Sequence, residues 1–248
     1  MNPMSTTATL NVHQPEKLNE KTLTLSPELI EQFDKDGFLS VHTLVDPATL
    51  EKLRAYYDRF VRGEISCGED NGKLGGKIHQ IMFPARHEPY FQDNPALTAG
   101  KSLARQLLGH EAKLVFDMLI DKPAGTLNET PWHQDYAYTA EPFAPAGTKM
   151  TALSLQFWVA LDDVDIDNGC MQFLPGYHHK PLMEHYVASG DPKAPRRLLA
   201  MKHVVPSEAI VCPLPAGGCT IHQYGTPHYT GPNHTSNRNR RAYIFNLA

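Results

Sequence analysis

A change of pattern near Lys113 constrains the fold of this chain more than any other feature of the sequence. Before it, three segments combine helical periodicity with helix-capping residues: Ser26 to Gly37, Asp46 to Arg62 and Pro95 to Leu108. After it come short β-rich runs separated by Gly, Pro, Asp and Asn turns. These runs are LVFDMLI (114–120), TALSLQFWVALDDV (151–164), CMQFLP (170–175), EAIVCPLP (208–215) and RAYIFNLA (241–248). The order predicts a mainly β fold with N-terminal helices, built as a sandwich or jelly roll.

Length and composition indicate a single domain. The chain has 248 residues, of which 41% are hydrophobic and 20% are charged, an ordinary globular composition. Residues 1–24 are polar and non-periodic, which predicts a flexible N-terminal tail, so the domain is expected to cover residues 25–248. The chain has no internal repeat and no obvious linker.

Composition also argues against several classes of function. Lys and Arg number 23 against 27 Asp and Glu, and this net charge of −4 disfavours a nucleic-acid partner. No apolar run approaches the ~20 residues that span a bilayer, and the N-terminus lacks the apolar region of a secretory signal. Four cysteines without a CxxC pair predict neither a disulfide framework nor a cysteine-based zinc site. We expect a soluble, cytoplasmic protein with no membrane partner.

The segment TPWHQDYAY carries the first candidate metal ligands, His133 and Asp135. On a strand, residues two apart point to the same face, so both side chains could bind one ion. A second histidine from elsewhere would complete two histidines and a carboxylate, a set that leaves three positions open on Fe(II). With 13 His in the chain, such a triplet is also expected by chance, so the motif alone is weak evidence.

The C-terminal segment HQYGTPHYTGPNHTSNRNRRAYIFNL supplies a second candidate group. A turn through Gly231 to Asn239 would return Arg240 close to His228 and Thr230. An arginine offers a planar, bidentate fork for a carboxylate, and a hydroxyl beside it adds a hydrogen bond. The alternative is that His228 lies in a surface loop, and that Arg238, Arg240 and Arg241 form a solvated basic cluster.

Together the two segments resemble the phytanoyl-CoA dioxygenase family of Fe(II)- and 2-oxoglutarate-dependent oxygenases. The shared pattern is HxD, a distal histidine about ninety residues later, H-x-T/S-G-x-N and then an arginine. Further matches are DGFLSV, MLIDKPAGT, FWVALDDVDIDNGCMQFLPGYHH and HYTGPN, so the resemblance covers about residues 26–248. It implies a double-stranded β-helix (jelly roll, cupin-like) core.

The resemblance also implies the roles of eight residues and the cofactors. The iron ligands would be His133, Asp135 and His228, and Thr230 and Arg240 would hold the distal carboxylate of 2-oxoglutarate. Met118, Trp158 and Lys77 match positions near the co-substrate. Fe(II), 2-oxoglutarate and O2 would therefore be required. The spacing from His228 to the arginine is one residue longer than in the family's namesake, so Arg241 or Arg238 could replace Arg240.

The implied reaction oxidises a small molecule and releases succinate and CO2, with hydroxylation as the default outcome. Desaturation, epoxidation, rearrangement or acyl-CoA 2-hydroxylation are alternatives on the same iron. An intact Asp135 argues against halogenation. A zinc hydrolase and a non-catalytic binding protein are alternatives from other classes. The predicted lids are Cys67–Gln92, Tyr136–Thr151 and Leu182–Lys202, whose mixture of aromatic and basic residues favours a mid-sized, partly apolar substrate. The compact chain without a recognisable targeting segment favours specialised metabolism over peroxisomal acyl-CoA chemistry. We expect a monomer or homodimer.

Overall fold

The computed structural model describes residues 10–19, 22–74, 78–143, 154–191 and 197–248. The described part of the first half contains four α-helices: α1 (Pro27–Asp36), α2 (Pro47–Val61), α3 (Pro84–His87) and α4 (Pro95–Leu108). The three long helices begin where Ser26, Asp46 and Asn94 each accept a hydrogen bond from the backbone N–H three residues later. The first and last of them end at Gly37 and Gly109, whose φ angles are 81° and 76°.

The rest of the described chain is mostly β. Its strands are β1 (Asn11–Val12), β2 (Phe38–Val41), β3 (Asn71–Leu74), β4 (Ile78–Met82), β5 (Leu114–Lys122), β6 (Thr130–His133), β7 (Leu155–Ala160), β8 (Met171–Phe173), β9 (His185–Val187), β10 (Leu199–Met201), β11 (Ile210–Cys212), β12 (Cys219–Gln223), β13 (His228–Thr230) and β14 (Arg240–Leu247). A large sheet has the order β2-β12-β7-β14-β5-β4-β3, and a small sheet has the order β1-β11-β8-β13-β6. β9 and β10 form a separate antiparallel pair.

The two faces of the large sheet bury different partners. On one face, which we call the outer face, Phe157, Ile221 and Phe245 belong to the same apolar cluster as residues of α1, α2 and α4. On the inner face, Trp158 and Ile244 join a second cluster with Met171, Phe173 and Val211 of the small sheet. Because successive strand residues alternate between faces, every second side chain of β5, β7, β12 and β14 points into the space between the sheets.

The outer face also explains a glycine within α4. A Cβ atom added to Gly100 would lie 2.5 Å from the Phe245 ring, so α4 can approach β14 this closely only with glycine at that position. Glycine within a helix is unfavourable by roughly 1 kcal/mol relative to alanine. The close packing of helix on sheet therefore outweighs the local propensity.

Within the segment for which the composition predicts a flexible tail, the structure describes residues 10–19 and 22–24, and some of these pair with strands. Residues Asn11 and Val12 form β1, which pairs in parallel with β11, and Glu16 forms a bridge with Val41. The physical reason is that β11 would otherwise leave unpaired backbone groups at the edge of the small sheet.

Among the described residues, no helix combines the length and the hydropathy that crossing a membrane would require.

Candidate metal centre and anion anchor

His133, Asp135 and His228 come together where β6 and β13 pair. His133 ends β6 and lies directly opposite His228 in the antiparallel register. The spacing predicts Asp135 on the same strand as His133, and this prediction is wrong. Asp135 instead begins a short 3-10 turn that runs to Thr139. One ligand atom from each residue lies within 4.8 Å of the other two, and no other such group of His, Cys, Asp or Glu occurs among the described residues.

Backbone carbonyls fix both histidine rings. His133 Nδ1 lies 2.8 Å from the Pro131 carbonyl oxygen, and His228 Nδ1 lies 3.0 Å from the Thr226 carbonyl oxygen. Because a carbonyl can only accept, each ring must carry its proton on Nδ1. The lone pairs of the two Nε2 atoms then remain for a metal, and these atoms lie 3.7 and 3.8 Å from Asp135 Oδ1.

Electrostatics hold the three groups in the protonation states that a metal requires. Burial, together with His228, lowers the pKa of His133 to about 4, and burial, together with His222, lowers the pKa of His228 to about 4. Burial alone would raise the pKa of Asp135, but the neighbouring histidines, His228 first, outweigh it and lower the pKa to about 2. At neutral pH the site is therefore two neutral imidazoles and one carboxylate.

Two further side chains surround the second oxygen of Asp135. Gln156 Nε2 donates a hydrogen bond to Asp135 Oδ2 at 2.7 Å. His222 Nε2 lies 3.5 Å from the same oxygen, and its ring centroid lies 4.3 Å from that of His228. His222 is nevertheless not one of the three residues whose ligand atoms lie mutually within 4.8 Å, so the structure favours His228 as the distal ligand.

Arg240 is the arginine that faces the interior. It is 1% exposed, its Nη2 donates to Thr230 Oγ1 at 3.1 Å, and its guanidinium carbon lies 5.2 Å from the Trp158 ring centroid. Its Nε has no hydrogen-bond partner among the described residues. Arg241, one residue later, points to the outer face and binds Asp162 with two hydrogen bonds of 3.0 and 2.7 Å. Arg238 binds Asp165. Of these three arginines, Arg240 is therefore the one that remains for a ligand inside the fold.

Lys122 is a second buried cation beside Arg240, and the sequence reasoning missed it. It is 0% exposed and lies opposite Arg240 in the register of β5 and β14. Its Nζ donates to Thr230 O at 2.9 Å, Thr230 Oγ1 at 2.8 Å and Gly231 O at 2.7 Å, which suits the three donors of an ammonium. Burial and the charge of Arg240 lower its pKa well below the ordinary value.

A signal for Lys122 was present in the sequence. In the motif MLIDKPAGT, the lysine follows Met118 and Ile120 at intervals of two. A strand with that alternation puts the lysine on the same face as an apolar pair. A charged residue at the end of a buried face requires a partner, and that requirement identifies it as a functional candidate.

The remaining predicted co-substrate residues differ in how far the structure describes them. Trp158 is 2% exposed on the inner face of β7, and Met118 lies on β5, where its sulfur accepts a hydrogen bond from Gln80. Both pair with Ile244 of β14 from opposite sides. Lys77 lies outside the described residues, as do parts of the three predicted lids (75–77, 144–151 and 192–196).

The side chains of this interior suit the Fe(II) and the 2-oxoglutarate that the family resemblance implies. Two neutral imidazole nitrogens and one carboxylate oxygen are ligands that suit Fe(II). Arg240 and Lys122 share one buried region, and none of their hydrogen bonds within the described residues goes to a carboxylate. Buried cations of this kind require a counter-charge, and the unpartnered Arg240 Nε is an open donor for it. A carboxylate of 2-oxoglutarate would supply that charge.

Known proteins share both the sequence pattern and the fold. The bovine peroxisomal phytanoyl-CoA dioxygenase is 28% identical over 181 residues, which are 65% of this chain and 50% of that protein. This chain therefore spans about half the length of that relative. A probable alpha-ketoglutarate-dependent hypophosphite dioxygenase of Stutzerimonas stutzeri is 30% identical over 224 residues, 85% of this chain and 74% of that protein.

Solved structures extend the comparison. EvdO2 from Micromonospora carbonacea var. aurantiaca, complexed with 2-oxoglutarate, matches with a TM-score of 0.76 and 29% identity over 90% of this chain and 91% of that one. The epimerase SnoN, in complex with Fe3+, alpha ketoglutarate and nogalamycin RO, shares the fold with a TM-score of 0.66 and 22% identity, covering 89% and 82%. The family model for phytanoyl-CoA dioxygenase matches residues 33–242. The resemblance seen in the sequence is thus confirmed, and this chain belongs to the phytanoyl-CoA dioxygenase family.

Proposed function

We propose that the protein is a non-haem Fe(II)- and 2-oxoglutarate-dependent oxygenase that oxidises, and by default hydroxylates, a small molecule. One observation carries the proposal: a His-Asp-His group and a buried Arg-Lys pair occupy the same interior, between the two sheets. A hydrolytic zinc site requires the first feature but has no use for the second. The similarity to EvdO2 with bound 2-oxoglutarate supports the same assignment.

Each residue has a distinct task in this proposal. His133, Asp135 and His228 would hold Fe(II) and leave three positions free for co-substrate and O2. The bound iron supplies the oxidising chemistry, and 2-oxoglutarate supplies two of the electrons that reduce O2. Arg240 would hold the distal carboxylate of the co-substrate with its open donors. Trp158 and Met118 would provide an apolar surface for its methylene groups.

The Thr230 hydroxyl is oriented to donate a hydrogen bond to the co-substrate. Its Oγ1 accepts from both Lys122 Nζ and Arg240 Nη2, so both of its lone pairs are occupied. Its own hydroxyl proton then remains for an acceptor supplied by the ligand. Lys122 thereby positions the hydroxyl and holds β13 to β5, while Arg240 and Thr230 contact the carboxylate.

We further propose that the two sheets form a double-stranded β-helix and that the helices form its N-terminal layer. The support is that the chain passes back and forth between the two sheets. β5, β7, β12 and β14 belong to the large sheet, and β6, β8, β11 and β13 belong to the small one. This alternation brings His133 and His228 onto neighbouring strands although they are far apart in sequence.

The substrate is proposed to be a product of specialised metabolism, and the protein to act in the cytoplasm as a monomer or homodimer. The similarity to the hypophosphite dioxygenase, which is named for a substrate that is not an acyl-CoA, supports a substrate class other than acyl-CoA. Asp135 favours hydroxylation over halogenation, since its carboxylate takes the position that a halide ligand would need.

The proposal is tested by anaerobic loading with Fe(II) and 2-oxoglutarate, followed by exposure to 18O2. We expect succinate to form in the wild type and one 18O atom to enter the product of the true substrate. Variants His133→Ala and Asp135→Ala should lose succinate formation. Arg238→Ala, which breaks only the ion pair with Asp165 on the surface, is the matched control and should keep it. Turnover that needs zinc and no 2-oxoglutarate would refute the proposal.

A further inference from the structure

His222 is a buried histidine to which neither the ligand set nor the anion anchor assigns a role. It lies on the inner face of β12 and is 0% exposed. Neither of its ring nitrogens has a hydrogen-bond partner among the described residues. Buried polar groups in folded proteins are almost always bonded, so an unpartnered imidazole in the interior indicates a function.

The surroundings of His222 point to one partner. Its ring packs between Phe173, at a centroid distance of 5.2 Å, and His228, at 4.3 Å. Its Nε2 lies 3.5 Å from Asp135 Oδ2, the nearest carboxylate oxygen recorded for it in the described part of the chain. Directly opposite it in the strand register is Gln156, which already donates to that oxygen at 2.7 Å.

The two oxygens of Asp135 thus have different surroundings. Oδ1 lies 3.7 and 3.8 Å from the Nε2 atoms of His133 and His228, and so belongs to the ligand set. Oδ2 is turned away toward Gln156 and His222. A carboxylate that is held by one oxygen can bind a metal with the other, whereas a free carboxylate can rotate or bind with both.

We propose that His222 is a positioning residue of the metal centre, whose Nε2–H group donates to Asp135 Oδ2 and, with Gln156, keeps Oδ1 directed at the metal. This inference rests on the proposed function and names a group of the same site. A carboxylate can only accept hydrogen bonds, so the ring must carry its proton on Nε2. His222 touches no reacting atom; it acts through Asp135.

The test compares metal affinity in three variants, in the absence of 2-oxoglutarate and substrate. His222→Leu removes the donor but keeps a similar volume, whereas His222→Gln keeps an N–H donor at a similar reach. Thr220→Val is the matched control, because Thr220 lies two residues earlier on the same face of β12 and its buried hydroxyl is also unpartnered. The dissociation constant for Mn(II) is measured by electron paramagnetic resonance, and the visible spectrum is recorded with Co(II).

We expect His222→Leu to weaken Mn(II) binding about 10- to 100-fold, the usual effect of losing a group that orients a metal ligand. It should also change the Co(II) spectrum. His222→Gln and Thr220→Val should bind Mn(II) as the wild type does. Equal affinity in His222→Leu and the wild type would overturn the inference. So would an equal loss in Thr220→Val, because inner-face packing would then explain the effect.

Two further comparisons keep the result decisive. If His222→Leu does not fold, His222→Asn replaces it, since the asparagine amide is one methylene too short to reach Oδ2. Loss of Mn(II) affinity in Asn but not in Gln supports the inference, and equal affinity overturns it. A wild type that neither binds Mn(II) nor turns over 2-oxoglutarate refutes the proposed function instead.

Discussion

Replacing Arg240 with methionine should separate co-substrate binding from stability. Methionine keeps much of the side-chain volume and removes the charge. The variant would leave the distal carboxylate of bound 2-oxoglutarate without its bidentate partner, which typically costs ~2–5 kcal/mol, or roughly thirty-fold to several-thousand-fold in affinity. We therefore expect a large rise in the dissociation constant for 2-oxoglutarate.

Although Arg240→Met should weaken 2-oxoglutarate binding, it should not destabilise the ligand-free protein. Arg240 is 1% exposed, and its side chain makes one hydrogen bond within the described chain, to Thr230. Losing that bond costs about 1.5–3 kcal/mol, but desolvating a guanidinium costs several kcal/mol, and the charge also repels Lys122. Asp121 attracts Arg240 and limits the gain. The free energy of unfolding should be unchanged or higher.

Arg241→Met is the matched control, because it changes the neighbouring residue on the opposite face. Its two hydrogen bonds to Asp162 would be lost, at a cost of about 1–3 kcal/mol in the free energy of unfolding. Binding of 2-oxoglutarate should not change. Calorimetry on Mn(II)-loaded, anaerobic protein gives the affinity, and urea titration of the ligand-free protein gives the stability. Wild-type affinity in Arg240→Met, with a loss in Arg241→Met, would refute the assignment of the anchor.

Three other substitutions test the packing and charges described above. Lys122→Met should lower the free energy of unfolding by about 1–3 kcal/mol and weaken 2-oxoglutarate binding, because the acceptor oxygens of Thr230 and Gly231 lose their donor; urea titration and calorimetry measure both. Burial raises the pKa of Asp117 to about 7, so the folded state holds an extra proton and the wild-type free energy of unfolding should fall as the pH rises from about 4 to 7. Asp117→Asn should abolish this fall and be more stable than the wild type by up to ~4 kcal/mol at pH 8. A pH-independent difference in stability between the two proteins would contradict the prediction. Gly100→Ala should lose about 1–3 kcal/mol because its Cβ meets Phe245, and a stabilised variant in thermal unfolding would show that α4 can move away.

The sequence was sufficient for the ligand types but not for their local structure. His133 and Asp135 were identified from their spacing on a presumed strand, yet β6 ends at His133 and Asp135 lies in a 3-10 turn. The two side chains still meet, with His133 Nε2 lying 3.7 Å from Asp135 Oδ1. A spacing of two residues is compatible with either backbone, so the pattern could not distinguish them.

The choice among three arginines depended on register, which the sequence does not contain. Arg240 and Arg241 are adjacent, so one must face the interior and the other the helices. The pairing of Arg240 with Lys122 and of Ala242 with Ala160 decides which. The strand alternation marks Lys122 as a buried charge, but only the register shows that Arg240, more than a hundred positions away in the chain, lies opposite it.

Metal and co-substrate should bind this interior cooperatively, because their charges cancel there. Fe(II) alone would add two positive charges next to Arg240 and Lys122, and 2-oxoglutarate alone would bring two negative charges toward Asp135. Bound together they leave the buried net charge as it was, and each removes an electrostatic penalty on the other. Linkage requires the effect to be reciprocal: the factor by which Mn(II) tightens 2-oxoglutarate binding must equal the factor by which 2-oxoglutarate tightens Mn(II) binding. In Arg240→Met the coupling should persist, since the metal still meets the keto acid end, whereas in His228→Ala it should disappear together with the metal.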